Sequence, residues 1–138
     1  MLLIKQKMIY RSDLQANPDI LYIFGDNLDR EGMGGQAAEM RGEPNAFGIA
    51  TKRRITHGFP DAYLFDNQVD SVSIIEKEFT RLYVELIKHY VEDGLFKRKW
   101  KAVIVPADGI GTGLARLNET APKLLELINR RIDSIKIV

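Results

Sequence analysis

Two apolar runs in this chain each empty into a glycine-rich loop and then into helix-forming residues. No other feature constrains the fold as much. The first run is residues 20–24 (ILYIF), followed by residues 25–37 (GDNLDREGMGGQA). The second is residues 100–105 (WKAVIV), followed by residues 106–113 (PADGIGTG). Short, continuous apolar runs rich in β-formers read as strands covered on both faces. A helix on each side of a sheet supplies that cover, so the class is α/β. Ligands in open α/β sheets bind where strands end and loops begin, and that is where both glycine clusters fall.

The rest of the chain fits around these runs. Residues 1–10 alternate weakly and read as a first strand, and residues 11–18 as a polar stretch ending in the turn signal Asn17-Pro18. Residues 36–41 (QAAEMR) favour a helix stopped by Gly42. Residues 46–50 (AFGIA) look like another buried strand, 57–61 (HGFPD) like a loop, and 62–65 like a short strand. Residues 70–93 carry apolar side chains at spacings of three and four, from Val72 through Ile75, Phe79, Leu82 and Leu86 to Tyr90. That period predicts a helix, with Asp70 or Ser71 at its start and Gly94 just past its end. Residues 117–131 predict the last helix, capped by Asn118 or Thr120, and residues 134–138 (SIKIV) a closing strand. The expected fold is a single domain over residues 1–138, three layers α/β/α around a mixed sheet.

Composition removes several function classes. The chain has 138 residues, with 20 Lys plus Arg against 19 Asp plus Glu, a net charge of +1. A strong non-specific nucleic-acid binder would carry a basic excess. Cysteine is absent, which excludes disulfides, thiolate catalysis and Cys-based zinc sites. Two histidines, His57 and His89, are too few for a His-rich metal site. No metal or cofactor is expected. The opening MLLIKQKMIY is too short and too interrupted by lysine for a signal peptide, and no apolar run approaches the ~20 residues of a membrane span. The expectation is a soluble cytoplasmic protein with no membrane partner.

The loops test against known phosphate binders. A Walker A loop would end in Gly-Lys-Ser/Thr, which neither does. The dinucleotide fingerprint G-x-G-x-x-G fails on spacing, because Gly109, Gly111 and Gly113 run G-x-G-x-G and position 114 is leucine. A pair of loops gripping one pyrophosphate remains. Glycine lets successive N–H groups point into one concavity and lets the backbone approach phosphate oxygens closely. The competing reading, that turn glycines serve backbone geometry alone, weakens when two dense clusters follow two buried strands.

Four stretches in order resemble the macrodomain family, which binds ADP-ribose, and within it the terminal ADP-ribose protein glycohydrolase branch. Ser12-Asp13-Leu14 is similar to its Gly-Asp-Leu, and Gly32-Met33-Gly34-Gly35-Gln36-Ala37 to its first glycine loop. Ile49-Ala50-Thr51-Lys52-Arg53 resembles its Ile-Thr-Lys-Lys strand end. The stretch from Gly109 to Leu117 (GIGTGLARL) resembles its Ile-Gly-Cys-Gly-Leu-Asp-Arg-Leu.

The resemblance implies a role for each matching residue. Asp13 would accept a hydrogen bond from the adenine amine. Gly32, Gly34 and Gly35, with Asp26 and Gln36 beside them, would line the distal ribose and phosphates. Gly109, Ile110, Gly111, Thr112, Gly113 and Leu114 would wrap the pyrophosphate. Lys52 would attack the anomeric carbon of the distal ribose. Where the family has its catalytic aspartate this chain has Ala115, which can neither take nor give a proton. Asp108 and Asp26 are substitutes for that acid, and Asn27 is a candidate for orienting the ribose or a water.

Each of these residues also has a plain structural reading. Lys52 lies in a basic cluster, Lys52-Arg53-Arg54, of the sort that commonly forms a solvated turn. Asp26 suits a turn or a cap. His57 reads as a loop histidine and His89 as one on the flank of a helix. Tyr63, Phe65 and Phe59 could stack on an adenine, although such aromatics more often fill a core. Asp29-Arg30-Glu31 reads as a solvated loop tip. The expectation is therefore a binder of ADP-ribose or a related nucleotide, with hydrolysis of ADP-ribose from modified proteins, or of an ADP-ribose ester, as its chemistry. A reader without chemistry, or an interaction domain with a vestigial pocket, are the alternatives.

Overall fold

The computed structural model describes residues 1–58 and 60–138; Phe59, one of the candidate stacking aromatics, lies outside the described residues. The elements run β1 (Leu2–Gln6), α1 (Arg11–Ala16), β2 (Ile20–Asn27), α2 (Ala37–Met40), β3 (Ala46–Lys52), α3 (Ser71–Leu86), β4 (His89–Glu92), β5 (Leu95–Arg98), β6 (Ala102–Pro106), α4 (Leu117–Thr120) and α5 (Pro122–Asp133), closed by a 3₁₀ helix, Ser134–Ile137. Four strands form one sheet in the order β1-β6-β2-β3, and every pairing in it is parallel.

Alternation along the central strands builds the three layers. Leu21, Ile23, Val103 and Val105 turn to one face, where they meet Ile75, Phe79, Leu82 and Leu86 of α3 and Leu124, Ile128 and Ile132 of α5. Tyr22, Phe24 and Ile104 turn to the other, where they meet Leu14 of α1 and Ala37 and Met40 of α2. All are buried, and each large side chain contributes about 1.5–3 kcal/mol by leaving water.

The parallel sheet corrects the expected mixed one, for two local reasons. Residues 134–138 continue the last helix as a 3₁₀ turn that buries Ile135, although their alternation also suits a strand. The predicted helix over residues 70–93 stops at Leu86, and the chain reverses in the hairpin β4–β5, which forms its own two-stranded antiparallel sheet. Asp93 and Gly94 both adopt positive φ, 52° and 75°. Asp-Gly between β-formers such as Tyr90-Val91 and Leu95-Phe96 is a strong hairpin signal, so Gly94 belongs to that turn.

Other boundaries moved as well. Residues 11–16, read as merely polar, form α1 before Asn17-Pro18 ends it. Residues 62–65, read as a short strand, are instead a turn and bend at 62–63 followed by irregular chain. The last helix is broken at Ala121, and the first N–H groups of α5 are capped from a distance: Lys123 and Leu124 both donate to the Asp66 carboxylate at 3.0 Å. No helix among the described residues is long and apolar enough to cross a membrane.

Candidate functional site

The carboxyl ends of β2 and β6 are neighbours, yet their outgoing connections diverge. β2 leads to α2 on the Tyr22/Phe24 face, whereas β6 leads to α4 and α5 on the Leu21/Ile23 face. A crevice opens where neighbouring strands send their chains to opposite faces, and this is the general ligand position in α/β sheets. Here it holds a cavity of about 470 Å³, bounded by the ends of β2 and β3 and by both glycine loops. That volume suits a small-molecule ligand.

The first loop is held by side chains. Arg41, from the end of α2, donates from Nε to the Gly32 carbonyl at 2.7 Å and from its guanidinium to the Glu31 carbonyl at 3.2 Å. It is itself fixed by a double contact to the Asp26 carboxylate and by stacking 5.3 Å above Phe24. Gly48 on β3 leaves room for that carboxylate, which would collide with any Cβ there. Asp26 lines the cavity, but it is the anchor of Arg41 and not an unclaimed acid.

Asn27 donates to the Glu31 carbonyl at 2.9 Å, while its own Oδ1 is buried with no hydrogen-bond partner among the described residues. Gln36 braces the site, accepting from the Gly25 N–H at 3.1 Å and donating to the Gly109 carbonyl at 3.4 Å. The loop's carbonyls are thus drawn to Arg41 and Asn27. The N–H groups of Gly32, Met33, Gly34, Gly35 and Gln36 donate to no other described residue.

The second loop is held by its own backbone. Gly111 has φ +91°, and its carbonyl accepts from the Leu117 N–H at 2.8 Å; the Gly113 carbonyl accepts from the Arg116 N–H at 3.1 Å. A Cβ at Gly111 would sit 2.6 Å from Leu117 Cδ1, which is fully buried. The N–H groups of residues 110 to 115 donate to no other described residue. Ile110 departs from its expected role: its side chain is buried in the core and does not line the cavity, so it anchors the loop. Leu114 reaches across to the first loop, within 2.8 Å of where a Gly34 Cβ would be. Residues 32–36 and 111–115 therefore line the same concavity with N–H groups that no other described residue engages, an arrangement suited to anionic oxygens.

Lys52 stands at the end of β3. A bulge in the β2–β3 pairing brings Asn27 opposite Lys52 and leaves Thr51 unmatched; bulges of this kind re-aim side chains near sites. Lys52 is only 5% exposed, and among the described residues it forms no ion pair. Its Nζ donates to the Thr56 carbonyl at 2.6 Å, lies 3.2 Å from His57 Nδ1, and sits 5.0 Å from the Tyr63 ring centre. Burial pushes the ammonium below its usual pKa, because the charged form is poorly solvated there. The solvated-turn reading of Lys52 is therefore excluded.

The remaining candidates divide. Gly109, Thr112, Gly113 and Asp108 line the cavity, with Asp108 exposed at its rim, and Ala115 is a buried part of its wall. Asp13 does not line it: its carboxylate accepts from the Tyr10 N–H at 2.8 Å and from Gln6 at 3.1 Å, tying down the start of α1. His89 lies on the distant hairpin. Phe65 and Tyr63 are absent from the cavity lining, although Tyr63 supports Lys52 from below. Arg30, read as part of a solvated tip, reaches inward to Glu78 at 2.5 Å.

Sequence reasoning missed Arg41, Thr51, Ile55 and His57, all on the cavity wall. Arg41 carried a faint signal, as a basic residue closing a short helix. The others carried none.

The family profile described as "Family of unknown function (DUF7831)" matches residues 4–131, nearly the whole chain. The chain belongs to that family. No curated protein and no solved structure matches it significantly. The match spans both glycine loops and Lys52, so the cavity lies wholly within the family's shared region.

Proposed function

We propose that this chain binds ADP-ribose, or a nucleotide diphosphate of the same shape, and that its α/β layers are a macrodomain-like fold. A cytoplasmic setting belongs to the same proposal. One observation carries the reading: the two runs of unengaged N–H groups, at residues 32–36 and 111–115, both bordering a cavity of about 470 Å³. A pyrophosphate presents oxygens on both sides and would engage both runs at once. Such recognition adds no formal charge, which accords with a net charge of +1.

The test is calorimetry and thermal shift with ADP-ribose, against AMP and ribose as controls. ADP-ribose near 100 times its Kd stabilises the fold by about 2.7 kcal/mol and raises Tm by several degrees. Absence of both heat and shift overturns the reading. Substituting Gly35 or Gly111 with valine would then abolish binding; altered stability with unchanged affinity would favour the vestigial-pocket alternative.

Lys52 is the nucleophile of this proposal, attacking the anomeric carbon of the distal ribose in ADP-ribosylated protein or an ADP-ribose ester. Its burial without an acid supports an amine that loses its proton readily. Lys52→Ala is expected to abolish release of ADP-ribose while leaving binding largely intact. A second reading, a reader that binds without cutting, is favoured by Ala115 on the cavity wall and by the engagement of Asp26 with Arg41. Incubation with ADP-ribosylated protein, followed by mass spectrometry for released ADP-ribose, separates the two. A gain of hydrolysis in Ala115→Asp would identify the missing acid as the deficit.

A further inference from the structure

We propose that His57 is the proton exit of Lys52, acting through the lysine and not on the ligand, in the place that an acid would otherwise fill. The inference rests on the reading of Lys52 as the cavity's nucleophile.

A neutral amine has two N–H donors and one lone pair. With His57 in its Nε2–H tautomer, Lys52 Nζ has two acceptors, the Thr56 carbonyl at 2.6 Å and His57 Nδ1 at 3.2 Å, so both N–H groups are engaged and the lone pair is left over. To reach that state the ammonium must first shed a proton. A carbonyl cannot take it, and an imidazole can. His57 is also exposed and lines the cavity, so it passes the proton on to water.

The other charged and titratable groups nearby do not serve. Tyr63 lies 5.0 Å from Nζ and packs against the Arg116 guanidinium, 5.7 Å from its ring centre. Asp26 is held by Arg41, and neither Glu31 nor Asp108 pairs with Lys52. The lysine's lowered pKa makes the transfer easier. The step balances: the ammonium loses one proton to Nδ1, the imidazolium gives that same Nδ1 proton to water in the cavity so that Nδ1 is again an acceptor, and the neutral amine remains.

Pyridoxal 5′-phosphate is a suitable probe, because its phosphate is an anion of the class proposed for the N–H cradle and its aldehyde reports on the amine. The neutral amine adds to the carbonyl carbon, its two protons leave with the carbonyl oxygen as water, and a C=N bond forms that borohydride traps. Peptide mass spectrometry locates the adduct. The expected result is labelling at Lys52 that slows by roughly tenfold or more below about pH 8 in His57→Gln. Glutamine keeps an acceptor but cannot hold a proton. In His57→Ala the rate is expected to recover with added imidazole, which a merely structural role would not produce. Wild-type rates in His57→Gln, no rescue by imidazole, or no labelling of Lys52 in the native chain each overturn the proposal. A parallel titration with ADP-ribose keeps the readings apart: His57-dependent labelling without nucleotide binding refutes the ligand alone, and nucleotide binding without His57 dependence refutes the proton exit alone.

Discussion

Lys52 and Glu78 are equally buried, each 5% exposed, and the protein treats them in opposite ways. Glu78, on α3, accepts from Arg30 at 2.5 Å and from the Ala50 N–H at 2.6 Å, with Arg81 at 3.4 Å. It joins helix, sheet and first loop. Lys52 has a carbonyl, an imidazole and an aromatic ring, but no acid among the described residues. A buried charge costs several kcal/mol unless its neighbours compensate it. Where compensation is full the charge is part of the frame; where it is withheld next to a cavity, the residue is a candidate for the proposed chemistry.

The strongest way to break this contrast is Glu78→Ala. It leaves the Ala50 N–H and the inner side of Arg30 unpaired, and is expected to cost about 3 kcal/mol in urea unfolding. Acid makes the same point in the native chain. Burial pushes the Glu78 carboxyl up, but the Arg30 and Ala50 hydrogen bonds and the Arg30 and Arg81 charges outweigh it and hold the pKa below the ordinary 4.5. The unfolded chain therefore takes up this proton first. The stabilisation is whole above about pH 4.5 and is lost as pH falls through the folded value. Glu78→Gln is expected to lack that part of the acid dependence.

Arg30→Met removes one partner and leaves Arg81 and the Ala50 N–H in place, so about 1–2 kcal/mol is expected in the same assay. An unchanged midpoint would reduce Arg30 to a surface charge. The smallest effect has the opposite sign. Lys52→Met relieves a buried ammonium that has no acid partner and is expected to gain about 1 kcal/mol at pH 7, even as it removes the amine proposed as nucleophile. The gain should shrink at alkaline pH. With a folded pKa below 10.5, the native chain gives up the Lys52 proton before the unfolded one, so wild-type stability rises with pH through that window. A loss of stability in Lys52→Met at pH 7 would make the lysine a structural residue like Glu78.

The parts of this protein that local chemistry controls were legible in advance. Residues 20–24 and 102–105 are apolar without interruption, and a strand covered on both faces is the arrangement that keeps nearly all of them from water. The glycines at 32, 35, 109 and 111 all adopt positive φ, as their density in the two loops suggested. Even the hairpin was written in Asp93-Gly94, although the helical spacing of residues 72–90 concealed it.

Side-chain partners were not legible, because they join residues far apart in the chain. Asp26 reads as a turn residue until Arg41 folds over it, and Arg30 reads as solvated until α3 brings Glu78 beneath it. Asp13 matches a ligand-binding position in sequence and caps a helix in space. Sequence alone determined an α/β chain with two glycine-rich loops at strand ends, since backbone conformation and burial follow from residue type and period. Only the tertiary structure decided which charges were neutralised. That left Lys52 beside His57 without an acid, because compensation depends on distances that no local pattern encodes.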